Sequence, residues 1–150
     1  MKQTQMKNND SATGRPGGSS RPEQTDGRKI FDLEERLLEF SAVIIDVSED
    51  LPNSRAGNHV AGQLLRCGTS PYSNHGEAES AESPADFIHK MKVCLKELRE
   101  TRRWLRLIAR KRWLERSDDL QFVLREVEEL IRIFAASIRT ATRNRLKTRS

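Results

Sequence analysis

The sequence predicts an all-α protein, an antiparallel up-down four-helix bundle with a kinked second helix. Three observations carry that prediction. Apolar residues recur at spacings of three and four in four separate segments. No segment shows the strict alternation of a half-buried strand. The 150-residue chain is 35% hydrophobic, 33% charged and only 5% aromatic, which suits a thin, elongated helical core. The length fits one domain at roughly one per 150 residues, and short connections between helices make sequential neighbours antiparallel.

The segment before the bundle, residues 1–29, includes "SATGRPGGSSRPEQTDGR", rich in Gly, Ser and Pro. It cannot bury enough apolar surface to offset its ordering entropy and is expected to be a disordered tail. The bundle spans residues 30–146, followed by a basic tail at 147–150. The first helix opens at "FDLEE", with Asp32 as N-cap and Glu35 three residues on, as in a capping box. Leu33, Leu37, Phe40, Ile44 and Val47 form its apolar stripe, and Leu38, Val43 and Ile45 widen it as if two sides were covered. "LPNSRAG" makes the turn.

The second helix opens around Ser54 and carries Val60, Leu64, Leu65 and Cys67. Its distal half, "CGTSPYSNHGEAES", contains Gly68, Pro71 and Gly76. Proline in a helix interior costs about 3 kcal/mol and removes a backbone donor. A bend near Cys67–Pro71, with the distal half held by packing, is the favoured reading, and a break into a loop is its rival. The small residues Gly68, Ser70, Ser73, Gly76 and Ala78 permit close approach of another helix. The third helix starts at "SPAD", with Ser83 as N-cap and Pro84 at the first helical position; its stripe is Phe87, Met91, Cys94, Leu98, Leu105 and Ile108. Ser117 caps the fourth, whose stripe is Leu120, Val123, Leu124, Val127, Leu130, Ile131, Phe134 and Ile138.

Two cysteines are too few for a disulfide framework and fit a reducing compartment. No apolar run reaches the roughly 18 residues of a membrane span, and the first residues lack the apolar stretch of a secretory signal. A soluble, cytoplasmic protein is expected.

Gln63–Ala78, "QLLRCGTSPYSNHGEA", resembles the signature of the four-helix bundle proteins encoded within large-subunit ribosomal RNA intervening sequences. Phe87-Ile88-His89 and Glu100-Thr101-Arg102-Arg103-Trp104-Leu105 resemble further motifs of that family, and the likeness runs over about Phe31–Thr140. Pro71-Tyr72-Ser73-Asn74-His75 departs from it, where the family favours a more aliphatic run. The family is related to the accessory variability determinant of diversity-generating retroelements, a fivefold ring with a basic surface. The resemblance thus implies a homo-oligomer, with a pentamer as the relative's form, associated with RNA or DNA or with a nucleic-acid enzyme such as a reverse transcriptase.

The charge pattern is the main functional signal. The net charge is +5 and the isoelectric point about 9.6. Arg99, Arg102, Arg103, Arg106 and Arg110 recur at helical spacing, offset from the apolar stripe. Arg139, Arg143, Arg145 and Lys147 follow in a terminal stretch with no acid from Arg132 onward. These nine are the candidate phosphate contacts, since arginine binds phosphate bidentately and keeps its charge. The first helix is the opposite, with Asp32, Glu34, Glu35, Glu39, Asp46, Glu49 and Asp50 against Arg36. The bland alternative is that these acids neutralise the arginines within or between subunits, making the protein a purely structural interaction module.

Enzymatic chemistry is not expected. Cys67, His75, Glu77 and Glu79 match no paired zinc-ligand spacing. Nothing places Cys67 or Cys94 beside His59, His75 or His89 as a nucleophile–base pair would require, and no phosphate or dinucleotide loop is present. No cofactor is implied. Trp104 and Trp113 read as packing residues rather than a base-stacking platform.

Overall fold

The computed structural model describes residues 27–149, with side chains from Leu33 onward; the expected disordered tail lies outside them except for its last three residues. Four helices follow in order: α1 Gly27–Asp50, α2 Arg55–Glu79, α3 Pro84–Lys111 and α4 Asp118–Thr148. Each packs on its neighbour in sequence, and α1 closes the ring against α4 along the sparsest edge, so that α1 and α3 stand on one diagonal. The all-α four-helix bundle is therefore present, with no strand among the described residues.

Polar side chains start three of the helices as the sequence suggests. The backbone N–H groups of Gly57, Asp86 and Leu120 donate to the hydroxyls of Ser54, Ser83 and Ser117 at 3.0–3.1 Å, filling donors that the first turn leaves open. The first helix differs. It begins at Gly27, so Asp32 lies inside it rather than capping it, because Arg28-Lys29-Ile30-Phe31 contains nothing that stops a helix. Arg112 ends α3 in the left-handed conformation at φ 56°, its N–H bonded to Ala109 O at 3.1 Å. No glycine or asparagine signals that stop.

The predicted stripes form one core. Leu37, Phe40, Ile44, Leu64, Leu98, Leu105, Ile108, Leu130 and Phe134 are fully buried. The widening of the first stripe does not hold throughout: Val43 is buried, but Leu38 and Ile45 are 43% and 44% exposed. The chain alone covers only one side of α1.

The distal half of α2 is helix, and the loop alternative is excluded. Pro71 sits inside an unbroken Arg55–Glu79 helix. What overrides its propensity is a buried face of mostly small residues at helical spacing, Leu64, Cys67, Gly68, Pro71, His75 and Ala78. A β-carbon on Gly68 would lie 2.7 Å from Ile44 Cγ2; α1 therefore approaches this turn closely only because the side chain is absent. From the other side, the Cys94 thiol of α3 donates weakly to Pro71 O at 3.7 Å. Gly76 faces open space and has no such role.

Candidate nucleic-acid interface

Heptad-like spacing puts Arg99, Arg103, Arg106 and Arg110 on the outward side of α3, opposite Cys94, Leu98, Leu105 and Ile108. All four are exposed, and none makes an ion pair among the described residues. Arg102 is different. It lies half-buried on the α4 side, where its guanidinium reaches Glu128 at 3.4 Å. Lys92 and Lys96, which the sequence reading passed over, extend the outward row toward the start of α3 and are also exposed and without an ion pair.

On α4, Arg139 and Arg143 point outward and make no ion pair among the described residues. Arg125 and Arg132 stand on the same side, two heptads and one heptad before Arg139. Arg125 is without an ion pair, while Arg132 pairs with Glu129 at 2.5 Å. Arg145 does not belong to this row. It turns into a cleft with Ala78, Phe87 and Ala141, half-buried and near Glu79 and Glu82. Lys147 is exposed and has a contact of its own.

The register of α3 against α4 joins the two rows. Ala109 lies by Leu120 and Gln121, Arg102 by Glu128, and Phe87 by Asn144. Facing residue numbers thus add to about 230 along the seam. Arg106 is level with Arg125, Arg99 with Arg132, and Lys92 with Arg139, at steps of seven residues, or about 10 Å. The α3 row from Lys92 to Arg110 runs for about 27 Å.

The acids of α1 do not neutralise this surface within the chain. Glu34, Glu35, Glu39, Asp46, Glu49 and Asp50 are all exposed and form no ion pair among the described residues. α1 sits on the diagonal from α3. The carboxylates that do pair come from α2, α3, α4 and the α3–α4 turn. Glu126 binds Arg36 at 2.7 Å across the α1–α4 edge. Glu97 and Glu100 hold Arg66 at 3.3 and 2.6 Å, tying α2 to α3.

The residues considered for chemistry are placed apart or buried. Cys67 and Cys94 are fully buried, and burial pushes their thiols up to about 11 and about 12, the reverse of what activates a nucleophile. His75 is 5% exposed, its ring edge-on to Phe134 at 6.0 Å and its Nε2 3.5 Å from Glu79 Oε1. Glu77 instead approaches Lys90 at 3.6 Å. Among the described residues no three His, Cys, Asp or Glu side chains gather as metal ligands would. His89 is exposed. Trp104 packs partly on the core, donates to Glu100 at 3.4 Å and meets His59 edge-on. Trp113 also packs on the core, under Lys111 Nζ at 6.0 Å. Two hollows of about 720 and 570 Å³ lie at the ends of the bundle rather than on the arginine rows.

Fold and surface together define a class: a small helical bundle whose distinguishing feature is an exposed charged face, not an enclosed site. The chain belongs to the 23S rRNA-intervening sequence protein family, whose model matches residues 31–136. It is also similar to a solved protein of unknown function from the S23 ribosomal protein family of Bacteroides thetaiotaomicron. That likeness is 33% identical, covers 71% of this chain and 97% of the other, and has a TM-score of 0.65. Comparison with curated proteins gives no match. No described helix is long and apolar enough to cross a membrane.

Proposed function

We propose that this protein is a non-enzymatic, self-associating scaffold that binds the phosphate backbone of RNA or DNA through the outward faces of α3 and α4. The observation that carries the reading is the row Arg99, Arg103, Arg106 and Arg110: four exposed guanidinium groups with no carboxylate partner among the described residues. Arginines gathered for intramolecular pairing would sit against acids, as Arg36, Arg66 and Arg102 do. Leaving several like charges adjacent is unfavourable in the free protein, and a polyanion relieves it while releasing its own counterions. A basic surface is also what a nucleic-acid enzyme with an acidic patch would meet, and a reverse transcriptase stays within this proposal as a partner.

Gel retardation of mixed-sequence nucleic acid by the full chain tests it. Retardation at low salt that disappears as salt rises is expected; no retardation at low salt overturns the reading.

A second reading rests on its own observation. Leu38 and Ile45 are exposed in the middle of the acidic α1 face, an apolar seam with a charged rim that suits a second copy of the chain. If α1 of one copy covers the arginine row of the next, the charges serve assembly alone. Light scattering that shows a multimer lacking nucleic-acid affinity would favour this structural module, and a pentamer would match the related ring.

A further inference from the structure

We infer that the ligand of the α3–α4 face is double-stranded nucleic acid, gripped across both rows at once, and that Glu128 within the face holds its affinity down. This rests on the nucleic-acid reading above and narrows it to one class of ligand. Two observations carry it: the paired register of the rows and the absence, among the described residues, of any exposed Phe, Tyr or Trp beside them.

The levels Arg106/Arg125, Arg99/Arg132 and Lys92/Arg139 make a ladder with two rails rather than two separate patches, Arg132 being the rung whose charge is shared with Glu129. The axes of packed helices stand about 8–10 Å apart, and long side chains on their outward faces can adjust by several ångströms to reach the strands bordering a groove about 6 or 12 Å wide in the B form. Two rails of cations can therefore meet the two phosphate strands that border a groove. A single strand has one phosphate rail and can follow only one row.

Single-strand binders gain about 1–3 kcal/mol per base by stacking bases on aromatic rings. None of the described Phe, Tyr and Trp side chains is exposed, and His89, one heptad before Lys96, is the single exposed aromatic ring among the described residues of α3. Trp104 is turned toward His59 and Glu100 on the α2 side of α3. Without stacking, charge density decides, and a duplex carries about one charge per 1.7 Å of axis, twice that of either strand. The surface offers nothing that would compensate a single strand for that deficit.

Glu128 lies between the rails, half-exposed, with its carboxylate on Arg102. It places a negative charge where phosphate would approach and engages Arg102, which lies on the α4 side of α3. Removing its charge frees Arg102 and removes that repulsion.

The test is fluorescence anisotropy with the full chain at low salt, using duplexes of about 20 base pairs in DNA and RNA arms against the corresponding single strands. Duplexes are expected to bind about tenfold tighter than single strands of equal length, the two arms showing whether the B or the A form fits better. Glu128→Gln is expected to tighten duplex binding by about three- to tenfold with an unchanged melting temperature to within a few degrees. Single strands that bind as tightly as duplexes overturn this inference and leave the broader function standing. A Glu128→Gln protein with unaltered or weaker affinity contradicts the continuous ladder. Binding to neither form overturns both readings together.

Discussion

The outward face of α1 and the outward faces of α3 and α4 are equally solvated and built by the same helical spacing, yet they differ in kind. α1 carries six exposed acids around Leu38 and Ile45. The α3–α4 face carries Lys92, Lys96, Arg99, Arg103, Arg106, Arg110, Arg125, Arg132, Arg139 and Arg143, with Glu128 and Glu129 among them and no exposed Phe, Tyr or Trp among the described residues. A charged rim around greasy residues suits a protein partner. An extended row of arginine suits a polyanion read by charge and shape. The diagonal placement of α1 and α3 keeps the two faces from cancelling each other.

The sharpest way to break that contrast is to change the charges on one face at a time. Arg99→Glu, Arg103→Glu and Arg106→Glu together are expected to weaken nucleic-acid binding by about a hundredfold or more. Glu35→Gln, Glu39→Gln and Asp46→Asn together should leave it within about threefold. Anisotropy titrations compare them directly, with far-UV circular dichroism confirming that both variants keep their helices. A gain for the α1 variant that matches, per unit of charge, the loss for the α3 variant would show that only net charge matters.

The core beneath both faces supplies the next effect. With Cys67 and Cys94 raised to about 11 and 12, the unfolded chain releases both thiol protons before the folded one does. Stability is therefore fully present below about pH 9 and falls as pH rises toward the folded values. By pH 10 the loss is about 2–3 kcal/mol relative to pH 8. Denaturant midpoints across that range should fall less steeply in a Cys67→Ala/Cys94→Ala protein. Rapid thiol alkylation of the native protein at neutral pH would mean that the core is open and the binding face is not the only candidate for chemistry.

Beneath the acidic face, the seat of α1 on α2 depends on one missing methyl group. Gly68→Ala gains about 1 kcal/mol of helix propensity but overpacks Ile44, leaving a net destabilisation of about 1–2 kcal/mol. Gly76→Ala, two turns on, meets open space and should stabilise by about 0.5–1 kcal/mol. Thermal melts of the two variants moving in opposite directions would separate packing from propensity at two glycines of one helix.

The smallest difference lies in the ion pairs that tie each face down. Arg36 binds Glu126 at 2.7 Å with the carboxylate largely covered, whereas Arg102 and Glu128 meet at 3.4 Å and are more open. Arg36→Ala should cost about 1 kcal/mol and Arg102→Ala about half that, given the modest worth of exposed pairs.

The bundle was legible because its signals are local: Ser54, Ser83 and Ser117 cap where they should, and the three-and-four stripes find the core. What the sequence could not show is what depends on neighbours. Pro71 stays helical because Ile44 and Cys94 pack on either side of its turn, at positions far away in the chain. Arg112 stops α3 in a conformation that its residue type does not advertise. Arg102 shares a stripe with Arg99 and Arg106 in one dimension, but the crossing with α4 turns it to Glu128; Arg145 is drawn into a cleft in the same way. Lys92, Lys96, Arg125 and Arg132 had a signal, heptad spacing in line with the chosen arginines. They become one surface only once the α3–α4 register is known.

The central claim is that the α3–α4 face meets phosphates, and the salt dependence of the affinity tests it most directly. A plot of log K against log salt for the wild-type chain and a mixed-sequence DNA duplex should have a slope of about −3.5 to −5.5, as four to six neutralised phosphates require. A slope near zero, or one unchanged when Arg99, Arg103 and Arg106 are reversed, would contradict it.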